Sequence, residues 1–479
     1  MTPRLNPKER VRIKRQRPRE GLPASRVRGF EEVSHGYGEF LASSEARRCL
    51  ECRDPACTRG CPVGVDIRGF IGKIVDGDMA GAIARIRACN FLPAITGRVC
   101  PQESQCEAAC VMGRKFAPVA IGLLERFVAD YETEHRLFGG APPLARHGQK
   151  VAIVGSGPAG LTCAADLARR GYDVTVFEAL HAAGGVLRYG IPEFRLPKRI
   201  LDLEIARLGQ MGVTVVTNFL VGRTATVDEL LDGWGFEAVF LGTGAGAPTF
   251  LGIPGEGLNG VYSANEFLTR VNLMGAHRFP ESDTPVYMAR SVAVIGGGNT
   301  ALDAVRTARR LGAADAYLVY RRSRAEMPAR KEEVRHAEEE GIELMLLASP
   351  TRIVGDEQGW VAGLEVQRMK LGAPDGSGRR RPEPVAGSER VLPVGAVIEA
   401  VGQRPNPIIQ KTTPGLAVGP GGVVVTDEHQ RTNRDGVFVG GDLSRGGATV
   451  ILAMGDGQRA ALAIDGYLAE KRTRHGDEP

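Results

Sequence analysis

The sequence feature that most restricts the fold is a strand–glycine loop–helix unit that occurs twice, 141 residues apart. From Lys150 the chain reads K-V-A-I-V-G-S-G-P-A-G-L-T-C-A-A-D-L-A-R-R-G-Y-D-V-T-V-F-E. The apolar run K-V-A-I-V is too short for a helix and suits a strand buried on both faces, and the next twelve residues carry helical periodicity. Gly155 permits a tight turn, Gly157 lets a backbone approach a pyrophosphate, and Gly160 allows close helix packing. The helix N-terminus adds the partial positive charge that a phosphate needs. Glu178 ends the following strand, where a carboxylate takes ribose hydroxyls.

The second copy starts at Ser291 as S-V-A-V-I-G-G-G-N-T-A-L-D, with Gly296, Gly298 and Ala301 in the matching places and Asn299 and Thr300 opening the helix. The same offset maps Gly171 onto Gly312, after which two extra residues place Arg321, followed by Arg322, where the first copy has Glu178. A carboxylate would repel a 2'-phosphate, whereas a guanidinium grips it with paired hydrogen bonds. The second site is therefore expected to take NADPH, which leaves FAD for the first. Near the C-terminus, V-F-V-G-G-D-L precedes G-A-T-V-I-L-A-M-G-D-G. Gly441 and Asp442 follow a buried strand and are expected to hold a flavin hydroxyl, with Thr449 and Val450 at the start of a helix facing the ring.

Seven of the nine cysteines fall into two tight groups: Cys49, Cys52, Cys57 and Cys61, then Cys100, Cys106 and Cys110. A disulfide framework does not suit a chain of 479 residues without a secretion signal. The first group reads C-x2-C-x4-C-x3-C-P and the second C-P-x4-C-x3-C. Structural zinc sites pair two C-x2-C knuckles or add His, whereas a C-P ending is like the ferredoxin run, whose fourth Cys crosses to a second cluster. On that pattern Cys49, Cys52, Cys57 and Cys110 hold one cubane, and Cys61, Cys100 and Cys106 hold the other. The second then lacks one ligand, to be supplied by a non-cysteine donor or by Cys89. Cys163 lies inside the first nucleotide helix and is expected to be packing.

The expected fold class is α/β: two Rossmann-like dinucleotide-binding domains, one split by the other, preceded by a mainly helical iron–sulfur domain. The expected bounds are 1–147 for the iron–sulfur domain with a basic N-terminal arm, 148–250 for the first part of the FAD domain, 251–394 for the NADPH domain, and 395–479 for the second part of the FAD domain. Residues 372–384 are expected to form an exposed hairpin end. The net charge of +5 comes from residues 1–20, which hold eight Lys and Arg against two acids. Such an arm is expected to be a solvated tail. With no aromatic platform and no recognition motif, nucleic-acid binding is disfavoured. No G-x-S-x-G, H-E-x-x-H or P-loop pattern gives hydrolysis or phosphoryl transfer a foothold. No apolar run reaches the length of a membrane span and the N-terminus has no apolar leader, so a cytoplasmic protein is expected.

The ordered series of two Cys groups, G-S-G-P-A-G, G-G-V-L-R-Y-G-I-P-E-F-R-L-P-K, G-G-G-N-T-A-L-D, Y-R-R-S-R-A-E-M-P-A and G-G-D-L resembles the small (beta) subunit of bacterial NADPH-dependent glutamate synthase, from about Phe30 to Leu468. The same architecture is shared by the large subunit of NADH-dependent ferredoxin:NADP oxidoreductase, a transhydrogenating or bifurcating flavoprotein, and by the N-terminal part of dihydropyrimidine dehydrogenase. The resemblance implies that NADPH reduces FAD and that electrons leave singly through two 4Fe-4S clusters. They would pass to a large (alpha) subunit carrying FMN, which makes L-glutamate from L-glutamine and 2-oxoglutarate within a higher-order hetero-oligomer. It also implies that Gly185, Leu187 and Arg188 lie along the FAD, Arg188 offering charge near its phosphate or ring, and that Glu125 supplies the missing cluster ligand. No side-chain acid, base or nucleophile is expected to be catalytic, because hydride transfer needs only alignment and dry surroundings.

Overall fold

The computed structural model describes residues 5–138 and 146–476. The first four residues of the basic arm, residues 139–145 of the expected iron–sulfur domain, and the last three residues of the chain lie outside the described residues.

Both nucleotide units form as read, each as a five-stranded parallel sheet. In the first sheet the order is Val437–Val439, Ala238–Leu241, Lys150–Val154, Asp173–Phe177, Thr214–Val216. In the second it is Val261–Ser263, Ala396–Glu399, Ser291–Ile295, Asp315–Tyr320, Glu343–Leu346. The central strands are unbroken runs of buried residues because helices and loops cover both faces, as parallel sheets require. Helix Pro158–Arg169 follows the first loop and has Pro158 in its opening turn, where the missing N–H has no partner to lose. Helix Asn299–Arg310 takes the same place in the second unit.

The second unit is inserted between Leu241 and Val437 of the first, so the first domain is split. The point of return lies later than expected. Ala396–Glu399, expected to open the second part of the FAD domain, instead pairs with Val292–Ile295 and Val261–Ser263 inside the second sheet. The chain crosses back only through Gln403–Arg404, which pairs antiparallel with Ala247–Pro248. An apolar run announces a buried strand but carries no sign of which sheet it joins. Ahead of Ala396–Glu399, the strands Ala348–Gly355, Val361–Pro374, Arg380–Pro384 and Arg390–Leu392 make an antiparallel sheet in which Val361–Pro374 pairs with each of the other three, with the expected hairpin at its tip.

The N-terminal domain is built of short helices. Asp66 and Asp78 cap two of them, accepting from Gly69 N at 2.9 Å and Gly81 N at 2.7 Å. One hydrophobic core runs from Phe70, Ile95 and Leu124 into Leu161, Phe240 and Met454 of the first nucleotide domain, so the two domains are fused rather than tethered.

The basic arm is not a solvated tail. Arg10 is buried, donates to the Cys49 carbonyl and meets Glu51 at 3.0 Å. Arg15 pairs with Glu107 at 2.8 Å, Glu20 with Arg335 at 2.7 Å, and Arg26 with Glu340 at 3.0 Å and Glu339 at 2.7 Å. The arm thus crosses the iron–sulfur domain and ends on the second nucleotide domain. Its acidic partners are far away in sequence, which is why the charge run alone suggested solvation.

One carboxyl near the crossover is unusual. Glu399 is 2% exposed, accepts from Leu251 N at 3.3 Å, and has an Oε1 without a hydrogen-bond partner. Burial, and then the neighbouring Glu256, push it up to about 7. A carboxyl raised on folding binds its proton more tightly in the folded state, so stability falls as pH rises from the unfolded value toward the folded one. The Tm of the wild type is expected to fall relative to Glu399→Gln between about pH 5 and about pH 8. Parallel Tm–pH curves for the two proteins would contradict this.

Candidate redox site

The first glycine loop sits at the carboxyl end of its sheet. Gly155 has φ +97°, and a Cβ on it would lie 2.6 Å from the Gly242 carbonyl oxygen. A Cβ on Gly160 would lie 2.0 Å from the Gly155 oxygen, whereas one on Gly157 would meet nothing within 4 Å. The loop therefore closes tightly on the protein and stays open on one side, at the N-terminus of helix Pro158–Arg169, as a pyrophosphate cradle must. Gly185 has φ +53° and would place a Cβ 2.8 Å from Gly157 Cα, so the segment from Gly184 folds onto this loop.

Glu178 is buried beside it. One carboxylate oxygen accepts from Ser156 N at 3.0 Å and from Ser156 Oγ, the other from Leu180 N at 2.9 Å. Each oxygen has two lone pairs, so acceptor capacity for ribose hydroxyls remains. Leu187 is fully buried as packing. Arg188 donates from Nε to the Ala183 carbonyl at 2.5 Å and from Nη2 to Asp202, which fixes its side chain beside this loop.

The C-terminal residues arrive at the same edge. Gly441, φ +67°, would put a Cβ 3.1 Å from Ala159 Cβ, and Asp442 accepts from Ala448 N at 3.1 Å. Burial pushes the Asp442 carboxyl up. Thr449 Oγ1 accepts from Leu452 N at 3.4 Å where helix Val450–Gly476 begins. Sequence reasoning missed Asp456. Fully buried in that helix, it accepts from Gly441 N at 3.0 Å and Arg445 Nε at 2.7 Å and fixes the turn. The one signal available was an acid between two glycines, Gly455 and Gly457, in an otherwise apolar helix.

In the second unit Gly296, φ +147°, would set a Cβ 2.5 Å from the Ala400 oxygen, and Gly298 faces open space. Asn299 accepts from Arg330 N at 3.0 Å, and Thr300 is exposed beside it at the helix start. The two arginines separate. Arg322 is buried, pairing with Asp375 at 2.7 Å and donating to the Arg380 carbonyl at 2.8 Å, both in the hairpin. Arg321 is exposed just after strand Asp315–Tyr320.

Cys49, Cys52, Cys57 and Cys110 line one small cavity, walled by Ile67, Ile71, Val119 and Ile121. Burial pushes the Cys49 and Cys57 thiols up to about 11. Cys61, Cys100, Cys106 and Glu125 form a second group, close enough that the Glu125 charge raises all three thiols further, after burial. Thiols so placed ionise only against a cation, which is what a metal cluster supplies. Cys89 joins neither group: its charged neighbours are Asp166, Asp66 and Arg169. Cys163 is buried packing.

Glu125 receives both Thr96 Oγ1 (2.5 Å) and Asn90 Nδ2 (2.9 Å) on Oε1, so Oε2 remains for the cysteine side. Desolvation pushes its carboxyl up to about 7. Orienting bonds on one oxygen with the other free is the arrangement of a supported metal ligand. Among the described residues the one set of three potential ligand atoms all within 4.8 Å of one another is Glu20, Glu332 and His336.

The two halves of the site meet at a backbone contact. A Cβ on Gly455, in the helix that starts at the cradle, would lie 3.1 Å from the carbonyl oxygen of Pro62, the residue after Cys61.

Residues 149–457 match the pyridine nucleotide-disulphide oxidoreductase family, and residues 26–137 match the dihydropyrimidine dehydrogenase domain II, 4Fe-4S cluster family. The chain belongs to the pyridine nucleotide-disulphide oxidoreductase family. It is an oxidoreductase with a 4Fe-4S domain fused in front. The glutamate synthase (NADPH) small chain of Halomonas elongata is 36% identical over 96% of this chain and 97% of its own length, which bears out the resemblance read in the motifs. The beta subunit of the NADP(+)-dependent formate dehydrogenase of Moorella thermoacetica is 42% identical over 87% of this chain, which spans 60% of that longer protein. The fold matches Mycobacterium tuberculosis FprA in complex with NADPH, with a TM-score of 0.57, 23% identity, and coverage of 69% of this chain and 86% of that one. Among the described residues no helix is long and apolar enough to cross a membrane.

Glu125→Ala is expected to lower the iron content from about eight to about four per chain, while Glu125→Gln, which keeps an oxygen in place, retains more. Colorimetric iron and acid-labile sulfide assays on anaerobically prepared protein check this. Unchanged iron in Glu125→Ala would remove the residue from the ligand set.

Proposed function

We propose that this chain is the electron-input subunit of a glutamate synthase, oxidising NADPH at FAD and passing electrons through two 4Fe-4S clusters to an FMN-containing large subunit that makes L-glutamate. The observation that carries the reading is the contact of Pro62 with Gly455, which sets the Cys61 group beside the helix leading away from the first glycine cradle.

Gly155, Gly157, Gly160, Gly185, Glu178, Gly441 and Asp442 would hold FAD, with Thr449 and Val450 at the helix start. Gly296, Gly298, Asn299, Thr300 and Arg321 would hold NADPH. Arg322 supports that site from behind through Asp375. Cys49, Cys52, Cys57 and Cys110 would bind one cluster, and Cys61, Cys100, Cys106 and Glu125 the other. When bound, FAD and the clusters would supply the redox chemistry, the oxidation of NADPH to NADP+ with its two electrons passed on singly and one proton released to solvent.

The chain's residues do the positioning. The glycine loops bring backbone N–H groups to the pyrophosphates, Glu178 sets ribose orientation, and the shared apolar core keeps water from the space between cradle and cysteines. No side chain is required to move a proton during the hydride step. The alternative is a different complex using the same module, as in a ferredoxin:NADP transhydrogenase or a formate dehydrogenase. The 42% identity with the formate dehydrogenase beta subunit supports this second reading. Purification of the native complex separates them: a large FMN protein with glutaminase activity supports the first, and a small NADH-binding or a formate-oxidising partner the second.

NADPH is expected to bleach the flavin much faster than NADH under anaerobic stopped flow. Arg321→Ala is expected to narrow that preference by about tenfold, roughly one charged hydrogen bond to a phosphate. Equal rates with the two nucleotides in the wild type would contradict the 2'-phosphate assignment.

A further inference from the structure

The segment Ile191–Lys198 leaves the flavin cradle and turns sharply. Leu196 N donates to the Pro192 carbonyl at 2.9 Å, Lys198 N to the Glu193 carboxylate at 3.0 Å, and Lys198 Nζ to the Leu196 carbonyl at 3.0 Å. The turn is held from three sides, so the side chain at its apex has a fixed origin. That side chain is Arg195, and it does not stay in its own domain. Its Nη1 donates to both oxygens of Asp303, at 2.9 and 2.7 Å, and its Nε lies 3.2 Å from Glu333. The three side chains are each 5–7% exposed. The preceding Phe194 is clamped in the same contact, its ring 3.9 Å from the Arg310 guanidinium and 4.7 Å from that of Arg306.

Asp303 lies one helical turn after Asn299 on the helix whose N-terminus faces the second glycine loop. The other members of the cluster are rigid as well: Arg306 and Arg310 both grip Glu340, with Arg306 Nη2 at 2.8 Å and Arg310 Nη1 at 2.7 Å. A forked guanidinium bound to two buried carboxylates fixes direction as well as distance, which an ammonium cannot do. We infer that Arg195 is a positioning residue for hydride transfer: anchored in the flavin-contacting segment, it sets the register of helix Asn299–Arg310, and hence of the bound nicotinamide, against the flavin. This rests on the NADPH-to-FAD reading above. Removing the fork leaves each dinucleotide site intact and loosens only the relation between them. A misplacement of about 1 Å at a reacting centre costs on the order of a hundredfold in rate.

The test uses the holoenzyme with Arg195→Lys, which keeps the charge without the fork, and Asp303→Asn, which leaves the flavin segment untouched. Flavin reduction at saturating NADPH is followed by anaerobic stopped flow, NADP+ affinity by calorimetry, and helix 299–310 by hydrogen exchange. The expected result is a fall in the limiting reduction rate of about ten- to a hundredfold in both variants, with NADP+ Kd changed less than about threefold and faster exchange in the helix. The double variant should be little worse than the poorer single one, because both remove the same link. A limiting rate within about twofold of wild type, or a loss confined to Kd, overturns the inference, as does failure of both variants to fold with FAD, which would assign Arg195 a purely structural role. Failure of NADPH to reduce the wild-type flavin would sink the underlying reading instead.

Discussion

Three close backbone approaches at glycines, two of them closed to any Cβ and the third tight for one, determine how the parts of this molecule stand to one another. Gly160 lets the first nucleotide helix press against the Gly155 carbonyl, Gly457 lets the C-terminal helix press against the Ala159 carbonyl, and Gly455 lets that helix meet the Pro62 carbonyl. Cβ atoms there would come within 2.0, 2.3 and 3.1 Å of those oxygens. Strand, nucleotide helix, C-terminal helix and cysteine domain are thus stacked without side chains between them at these points. These contacts set the cysteine domain directly against the helix that leads away from the first glycine loop.

The same closeness explains the shared core and the charge placement. Arg87 of the N-terminal domain is locked to Glu132 at 2.7 Å and to Glu204 of the first nucleotide domain at 3.0 Å, with Arg207 joining both acids. Burial still pushes Glu204 up to about 7 despite these partners. Buried ion pairs of this kind add little net stability, since desolvation offsets the attraction, but breaking one leaves an uncompensated charge. In this chain three of them lie where domains meet, at Arg87–Glu204, at Arg26–Glu340 and at Arg195–Asp303, whereas Arg48–Glu45 and Arg310–Glu340 lie within single domains.

How much of this could be read from the sequence follows from which interactions are local. The glycine loops and both sheets were legible because turn geometry and burial on two faces leave a pattern within about 30 residues. Counting thiolates exposed the missing eighth ligand, and resemblance pointed to Glu125, although its support by Thr96 and Asn90 needed the fold. Long-range pairing was not legible. Strand Ala396–Glu399 reads the same whichever sheet it joins. The basic arm shows its charge but not Glu107, Glu45 or Glu340, which bind it. Arg188, Arg321 and Arg322 look alike in the sequence, yet Asp202 pairs with the first and Asp375 with the last.

In the proposed reading the cysteine domain holds two iron–sulfur cubanes, one with an oxygen ligand, against the sheet that would bind flavin. Mössbauer spectroscopy of the iron-57-enriched wild-type chain is then expected to show about eight irons in two cubanes, with one iron in an environment distinct from the thiolate-bound rest. A single cluster, or zinc with no iron in the cysteine groups, would contradict it.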